Sequence, residues 1–205
     1  MGLICPNNKK ITKIYFENGS KESSIGGYGV DGLSAGFYNL NQLKYVYFAP
    51  SMNGTVNVLG QYSFFYDSEL TKIDNLPDSS ETIEAGAFFN ASKLELTKLP
   101  LNIKTISEQA FGSCSILSID SFGYNPTGSP SGNENHLTTI GPRAFESSLK
   151  TVDSITINKS VQSIGSECFA GSQNDPRLTV NDYTGKLDVS YFGNRSVDIN
   201  TIQEG

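Results

Sequence analysis

Residues 83–88 read Ile-Glu-Ala-Gly-Ala-Phe, and residues 106–111 read Ile-Ser-Glu-Gln-Ala-Phe. The same order, with an aliphatic residue, three mostly polar or small residues, one small residue and a phenylalanine, occurs five times and ends at Phe64, Phe88, Phe111, Phe145 and Phe169. The steps between these phenylalanines are 24, 23, 34 and 24 residues, and a weaker copy ends at Phe37. Such a period indicates a repeat protein, in which each unit buries its apolar face against its neighbours.

The sequence on either side of each phenylalanine repeats as well. A short aliphatic stretch such as residues 70–73 follows it, and a turn such as Leu76-Pro77 often comes next. A second stretch such as residues 103–106 leads into the next copy. We expect both stretches to be short strands and the Ile-x-x-x-Ala-Phe segment to be one turn of α-helix or 3₁₀ helix. The phenylalanines should point inward, and the residue before each must be small because backbones pack closely there.

These residues resemble the BspA-type leucine-rich repeats. One unit matches that family's pattern almost position by position, through Leu99-Pro100, Ile103, Ile106, Ala110-Phe111, Cys114 and Leu117. Gly141 and Gly165 stand where the family has its glycine. The resemblance implies an α/β repeat fold, a right-handed leucine-rich-repeat-type solenoid of about six coils with short strands and one-turn helices.

The repeats extend over residues 32–172, with an insertion at residues 123–136. The first 31 residues do not fit the pattern, and residues 173–205 read as short alternating strands. Because an open solenoid end would expose its core, we expect residues 1–31 to be an N-terminal cap and residues 173–205 to be a C-terminal β cap. The insertion is either a functional edge loop or a tolerated surface loop.

Composition limits the class of partner. The net charge is −6, the pI is about 4.8, and no cluster of basic residues exceeds the pair Lys9-Lys10. Nucleic acids and anionic membranes need a basic face, so we expect neither as a partner. No apolar run reaches the roughly 18 residues of a membrane-spanning helix, and the first residues do not read as a signal peptide. The protein is therefore either cytoplasmic or made with a leader that this sequence lacks.

No residues form a recognisable catalytic or metal-binding pattern. His136, the only histidine, ends the Gly-, Pro-, Ser- and Asn-rich insertion, and we interpret it as a solvated loop residue. Cys114 and Cys168 occupy core positions of the repeat, about 10 Å apart if strands are spaced normally, which is too far for a disulfide. Cys5 is a candidate free thiol. Two pairs of carboxylates are interpreted as acidic surface: Asp74 with Asp78, and Asp182 with Asp188. We expect no enzyme activity, no cofactor and no metal.

The outward positions of successive strands should form a binding face for an extended partner. We expect this face to include Tyr45, Tyr47, Lys72, Glu95, Thr97, Ser118, Asp120 and Lys150. The N-terminal part is rich in aromatic residues, since 12 of the 22 Phe and Tyr residues lie within residues 1–66, and tyrosine is a good interface residue. The alternative is that Tyr45 and Tyr47 only cover the cap.

The resemblance also implies a function, because members of that family are mostly surface or secreted proteins of gut and oral bacteria and of some protozoa, linked to adhesion to host proteins. The first hypothesis is therefore a monomeric, non-catalytic surface or secreted module that presents its repeat face to a host protein or glycan. The alternative is an intracellular scaffold or assembly protein, and a remote alternative is a carbohydrate-active enzyme. An export leader upstream would separate the first two.

Overall fold

The computed structural model describes residues 10–17, 24–25, 36–114, 117–123, 135–171 and 173–203. The strands of these residues, in chain order, are β1 (Lys13–Phe16), β2 (Ser24–Ile25), β3 (Tyr45–Phe48), β4 (Val58–Leu59), β5 (Lys72–Asp74), β6 (Thr82–Ile83), β7 (Thr105–Ile106), β8 (Ser121–Phe122), β9 (Thr139–Ile140), β10 (Ser154–Ile157), β11 (Ser163–Ile164), β12 (Leu178–Asp182) and β13 (Val197–Thr201). Two 3₁₀ helices, Pro50–Met52 and Val189–Phe192, are the helical elements of this part of the chain.

The strands pair in parallel and form three sheets. The first sheet has the order β1-β3-β5, the second β13-β12-β10-β8, and the third links the two-residue strands in the order β11-β9-β7-β6-β4-β2. Partners in the third sheet come from equivalent positions of successive repeats, so that Ile83 lies between Leu59 and Ile106. This arrangement confirms a leucine-rich-repeat-type fold made of many short parallel strands.

The repeat phenylalanines form one stack through the core. Four of the five predicted ones are 0% exposed and Phe169 is 3% exposed, which confirms their inward orientation. The rings of Phe88 and Phe111 lie 5.2 Å apart with planes only 8° from parallel, and their neighbours in the stack have similar geometry. The stack begins at Phe37 and continues past Phe169 to Phe192, at 5.7 Å. Phe192 was not predicted, although it follows Phe169 by 23 residues and so keeps the period.

The expected one-turn helices at the Ile-x-x-x-Ala-Phe segments are wrong, and so is the α/β class that they implied. The residue before the small residue has a positive φ in all five copies: Tyr62 (57°), Gly86 (61°), Gln109 (51°), Arg143 (53°) and Glu167 (54°). A left-handed residue at this point interrupts a right-handed helix. Each segment is instead a series of tight turns, and the described residues contain almost no helix.

The hydrogen bonds of these segments explain why turns replace a helix. The Ser63 N–H donates to the Gly60 carbonyl of its own coil at 3.2 Å, whereas the next N–H, of Phe64, donates to the Ala87 carbonyl of the following coil at 2.7 Å. An α-helix would direct every N–H along its own axis. Here every second N–H group donates to a carbonyl of the following coil and so joins the two coils. Among the copies that the structure describes in full, only the one that ends at Phe192 has a 3₁₀ turn.

The small residue before each predicted phenylalanine is fully buried, as expected: Ser63, Ala87, Ala110, Ala144 and Cys168. Cys114 and Cys168 are free thiols in the core, which confirms their interpretation as small buried side chains. Burial raises the pKa of both thiols, so they stay protonated and unreactive at neutral pH. Cys5 and residues 124–134 of the insertion lie outside the described residues.

Candidate binding face and cleft

The outer side of the first sheet carries two rows of side chains. Strand register places Lys13, Tyr45 and Lys72 in one row, and Tyr15, Tyr47 and Asp74 in the other. The alternate residues of β3 and β5, such as Val46, Phe48 and Ile73, are buried in the core. We call Tyr15, Tyr45 and Tyr47 the tyrosine patch. Its rings stand on a sheet whose other side packs against the core, fully at β3 and partly at β1, where Ile14 and Phe16 are half-buried.

Contacts within the patch hold part of it rigid. The ring of Tyr15, which is 52% exposed, lies 5.8 Å from that of Tyr45 and 6.0 Å from that of Tyr47. The Tyr45 hydroxyl donates to the Asp74 carboxylate at 2.8 Å, and Lys72 pairs with the same carboxylate at 3.0 Å. Bonding to Asp74 raises the pKa of Tyr45 to about 12, while Lys72 and Tyr45 lower the pKa of Asp74. At neutral pH the Tyr45 hydroxyl is therefore uncharged and held in place by Asp74, and the charges of Asp74 and Lys72 balance each other.

Tyr15 was missing from the predicted face because residues 1–31 were interpreted only as a cap. A signal for it exists in the sequence. Ile14-Tyr15-Phe16 repeats the aliphatic-Tyr-Phe order of Val46-Tyr47-Phe48, and the structure pairs these tripeptides in register. Their phenylalanines stack at 4.8 Å in the core.

The sheet is interrupted beside β5, and a cleft opens there. Residues 94–100 form no strand, and a volume of about 370 Å³ lies between them and residues 73–78. The cause is a shorter repeat. From its first leucine to its proline this stretch contains eight residues in the two preceding repeats and seven in this one: Leu43 to Pro50, Leu70 to Pro77, and Leu94 to Pro100.

A gap of one residue after Glu95 restores the alignment of the two repeats. Leu96 then matches Ile73, Leu99 matches Leu76, and the prolines match. Leu96 and Leu99 are both buried, so the short segment keeps its apolar contacts with the core. Successive side chains of a strand point to opposite faces of the sheet. With one residue fewer, Leu96 and Leu99 can stay in the core only if the backbone of this segment leaves the register of β5.

The register shift removes ladder hydrogen bonds. The Glu95 N–H donates to the Thr71 carbonyl at 2.9 Å. A parallel ladder would continue with the Ile73 N–H bonded to the Glu95 carbonyl and the Thr97 N–H bonded to the Ile73 carbonyl. Neither bond forms among the described residues. The two segments are therefore joined at Glu95 and diverge beyond it, with the backbone of Ile73 facing the cleft.

Side chains around the cleft fall into two groups. The apolar group includes Leu76, Leu96 and Leu99, together with the proline of each of the three repeats. Three of the six polar side chains there hold turns: Asn53 accepts from the Ser79 N–H at 3.1 Å, Asn75 donates to the Phe48 carbonyl at 3.1 Å, and Asp78 accepts from the Leu101 N–H at 3.0 Å. The cleft therefore offers the backbone groups of Ile73 together with the exposed side chains of Glu95, Thr97 and Lys98.

The eight predicted face residues fall into three places. Tyr45, Tyr47 and Lys72 lie together on the first sheet, and Glu95 and Thr97 line the cleft. The other three lie beyond the interruption: the Ser118 hydroxyl is 3.3 Å from that of Thr151, the Asp120 carbonyl accepts from Thr156 at 2.8 Å, and Lys150 pairs with Asp175 at 3.4 Å. The predicted face residues thus lie on the first sheet, in the cleft segment and in the segments that follow it, the first of which is joined to the cleft segment by a hydrogen bond from the Ser118 N–H to the Leu96 carbonyl at 3.0 Å.

The second sheet has a different outer side. Ser121, Thr156, Asn181 and Asn200 lie in register across its four strands, and the amide of Asn200 is 3.5 Å from that of Asn181. These short polar side chains offer little area for contact. The aromatic outer surface therefore belongs to the first sheet, as the concentration of tyrosine in the N-terminal part of the sequence predicted.

The remaining candidates for chemistry have structural roles or are exposed. His136 is exposed. Asp182 accepts from the Thr184 N–H at 2.8 Å within a turn, and Asp188 accepts from the Ser190 N–H at the start of a 3₁₀ helix. Across the described ranges no group of three or more His, Cys, Asp or Glu side chains could hold a metal ion. A search of the same ranges found no helix with the length and apolar character needed to cross a membrane.

Comparison with known proteins places this architecture in a family. The model of the BspA type leucine rich repeat region matches residues 5–125 and 133–204, in six copies. No curated protein matches the chain.

Two solved structures are similar to it. A leucine rich repeat protein of T. pallidum is 20% identical, with 82% of this chain and 62% of that one covered at a TM-score of 0.41. A leucine-rich repeat protein from Bacteroides ovatus is 17% identical, with 92% and 69% covered at a TM-score of 0.40. This chain therefore spans less than two thirds of the T. pallidum protein. Since the family model covers nearly the whole sequence, the chain belongs to the BspA-type leucine-rich repeat family.

Proposed function

We propose that this chain is a non-catalytic binding module, displayed at a cell surface or secreted, that presents the outer side of its first sheet to a host protein or glycan. Repeats of this family generally serve protein interaction. The observation that carries the proposal is the tyrosine patch, in which the Tyr15 ring lies 5.8 Å from that of Tyr45 and 6.0 Å from that of Tyr47 on the outer side of the sheet.

The patch has the properties of a preorganised contact surface. Tyrosine offers a large amphipathic area at a low cost in conformational entropy, because it has only two side-chain torsions. The bond from Tyr45 to Asp74 removes one of these freedoms before any partner arrives. The charge of Lys72 is balanced by Asp74, whereas Lys13 in the same row adds positive charge to a protein that is acidic as a whole, which favours a partner with an acidic group beside its contact area.

Binding to immobilised host matrix proteins and to a glycan array tests this proposal. Replacing Tyr15 and Tyr47 by serine should weaken binding by roughly tenfold or more, because truncating central interface aromatics typically costs over about 1.4 kcal/mol. Tyr66→Asn is the matched control, since Tyr66 is 44% exposed and lies outside the patch. The proposal fails if the wild-type protein binds neither set, or if the double variant binds as well as the control.

We also propose that the chain is a monomeric right-handed solenoid of about six coils with residues 1–31 and 173–205 covering its ends. The pairing of β1 with β3 and the stacking of Phe192 on Phe169 support the idea that both terminal segments cover apolar ends. Light scattering on the purified chain tests the monomer. A truncation that removes residues 173–205 should expose the Phe169 ring and make the protein aggregate.

A further inference from the structure

We infer that the cleft beside β5 binds an extended aliphatic peptide, which adds to the edge of β5 through backbone hydrogen bonds. The inference rests on the proposed binding role, but it assigns a second site apart from the tyrosine patch and names a class of partner. The site comprises the edge of β5 at Ile73, the diverging residues 95–99 and the apolar side chains between them.

Backbone geometry is the first argument. β5 is an edge strand of the first sheet, and the Ile73 N–H and C=O point away from β3 towards the cleft. On the opposite wall the Glu95 carbonyl and the Thr97 N–H have lost the same ladder bonds. An extended peptide supplies donors and acceptors in the alternating order that both walls need, as in other cases where a peptide adds to a sheet edge.

The lining is the second argument. Leu76, Leu96 and Leu99 give the cleft an apolar part, which suits an aliphatic side chain of the peptide. None of the residues that line the cleft is aromatic. A sugar ring usually needs an aromatic face against which to stack, so the chemistry favours a peptide over a glycan. The volume of about 370 Å³ lies at the lower end of ligand sites, which run from about 300 to 1,000 Å³, and fits a short segment.

Keeping the cleft has a cost in stability, because each missing ladder bond forgoes the contribution that a completed ladder would make. One residue inserted between Glu95 and Leu96 would restore the leucine-to-proline spacing of the neighbouring repeats. The rest of the same repeat keeps its register, since β7 pairs with β6 and β9 on the other side of the coil. The irregularity is therefore confined to the segment that forms the cleft.

A repair variant gives a direct test. A random peptide library displayed on phage is selected against the full chain, and the strongest binder is synthesised. Inserting one serine between Glu95 and Leu96 should close the cleft and weaken this peptide by roughly tenfold or more. The same insertion after Gly185 is the matched control and should leave binding unchanged, because Gly185 is exposed in the turn after β12, an added Cβ there would meet nothing within 4 Å, and the residue does not line the cleft.

Two further measurements keep the test decisive if the repair variant folds poorly. Methylating the peptide nitrogens one at a time should abolish binding at one or two positions, because the hydrogen bonds come from its backbone. In the unaltered protein, the amides of Ile73 and Thr97 should become protected from hydrogen exchange when the peptide is added.

The results also separate this inference from the proposed function. The inference is supported if the serine insertion between Glu95 and Leu96 abolishes peptide binding while the Tyr15→Ser, Tyr47→Ser variant still binds the peptide. If no peptide can be selected, or if the binder is insensitive to repair, the inference is overturned, and so it is if a glycan rather than a peptide protects the Ile73 and Thr97 amides. Binding through the tyrosine patch is measured separately and survives each of these failures.

Discussion

In two repeats the residue three positions after the phenylalanine bonds to the preceding coil through its side chain. Ser148, three residues after Phe145, accepts from the Cys114 N–H at 2.9 Å and donates to the Phe111 carbonyl. Asp67, three residues after Phe64, accepts from the Leu40 N–H at 2.7 Å. Its second carboxylate oxygen is buried and has no partner among the described residues. Burial therefore raises the pKa of Asp67 to about 8, although the bond to Leu40 acts in the opposite direction.

This shift predicts that the protein loses stability as the pH rises. Asp67 titrates near 3.8 when unfolded and near 8 when folded, so the folded state holds a proton that the unfolded state has released. The contribution is fully present below about pH 4 and declines up to about pH 8, at up to about 1.4 kcal/mol per pH unit. Urea unfolding of the wild type and of Asp67→Asn, which keeps an acceptor for Leu40, measures it. The difference in unfolding free energy between the two proteins should change between about pH 4 and pH 8. Unfolding free energies that vary in parallel with pH would contradict the prediction.

The phenylalanine stack predicts a large penalty for a cavity. Phe111 is fully buried between Phe88 and Phe145, so Phe111→Ala should cost about 3–5 kcal/mol of unfolding free energy. Phe89 is only partly buried on the outside of its turn and is the matched control, for which we expect less than half of that cost. Equilibrium denaturation measures both. A denaturation midpoint of Phe111→Ala close to that of the wild type would contradict the stabilising role of the stack.

At the scale of elements, the sequence predicted the two-residue strands, the buried phenylalanines and the small residues before them, because each is dictated by periodicity and by burial. The stretch after each phenylalanine was predicted less well: β3 and β5 overlap the expected strands, whereas residues 94–96, 117–119 and 149–152 form none. The sequence did not predict that the Ile-x-x-x-Ala-Phe segments form tight turns in place of helical turns. Tyr62, Gln109, Arg143 and Glu167 have no intrinsic preference for a positive φ, and their conformation arises from the ladder bonds that neighbouring coils impose. The sequence does show that the repeat containing Leu96 is one residue short. That this shortening opens a cleft could not be predicted, because it depends on the strand register of the assembled sheet.

Close contact between coils makes Gly165 sensitive to any side chain. A Cβ there would lie 2.2 Å from the Pro142 nitrogen, which is backbone and has nowhere to move. Gly165→Ala should therefore destabilise the protein by roughly 2 kcal/mol or more, in line with overpacking of a core. The control is Gly54→Ala, where φ is +96° and nothing lies within 4 Å, so that only backbone strain of about 1–2 kcal/mol is added. Thermal and urea unfolding compare the two, and an equal or smaller effect at Gly165 would contradict the close contact.

For the whole molecule, the two sides of each coil behave differently. The sheet of two-residue strands runs without interruption from β2 to β11, and the phenylalanine stack runs beside it from Phe37 to Phe192. The side with the longer strands is divided into two sheets by residues 94–100. The continuous side therefore supports the short repeat, and the divided side can deviate there without loss of the core. This division places the tyrosine patch and the cleft next to each other on the less constrained side.

Hydrogen exchange should reveal this difference within a single coil. The N–H groups of Thr105 and Ser107 are bonded to the preceding repeat at 3.1 and 2.9 Å, whereas that of Thr97 has no ladder partner among the described residues. Opening free energies within one protein range from near zero up to that of global unfolding. Thr97 should therefore exchange roughly a hundredfold faster or more, a difference of about 2.7 kcal/mol, although the three residues belong to one repeat. Exchange measured by NMR in the free protein tests this, with the bonded Glu95 amide as an internal reference. Equal protection of Thr97 and Ser107 would mean that the strands close in solution, because an amide without a partner cannot be protected by a ladder that stops before it.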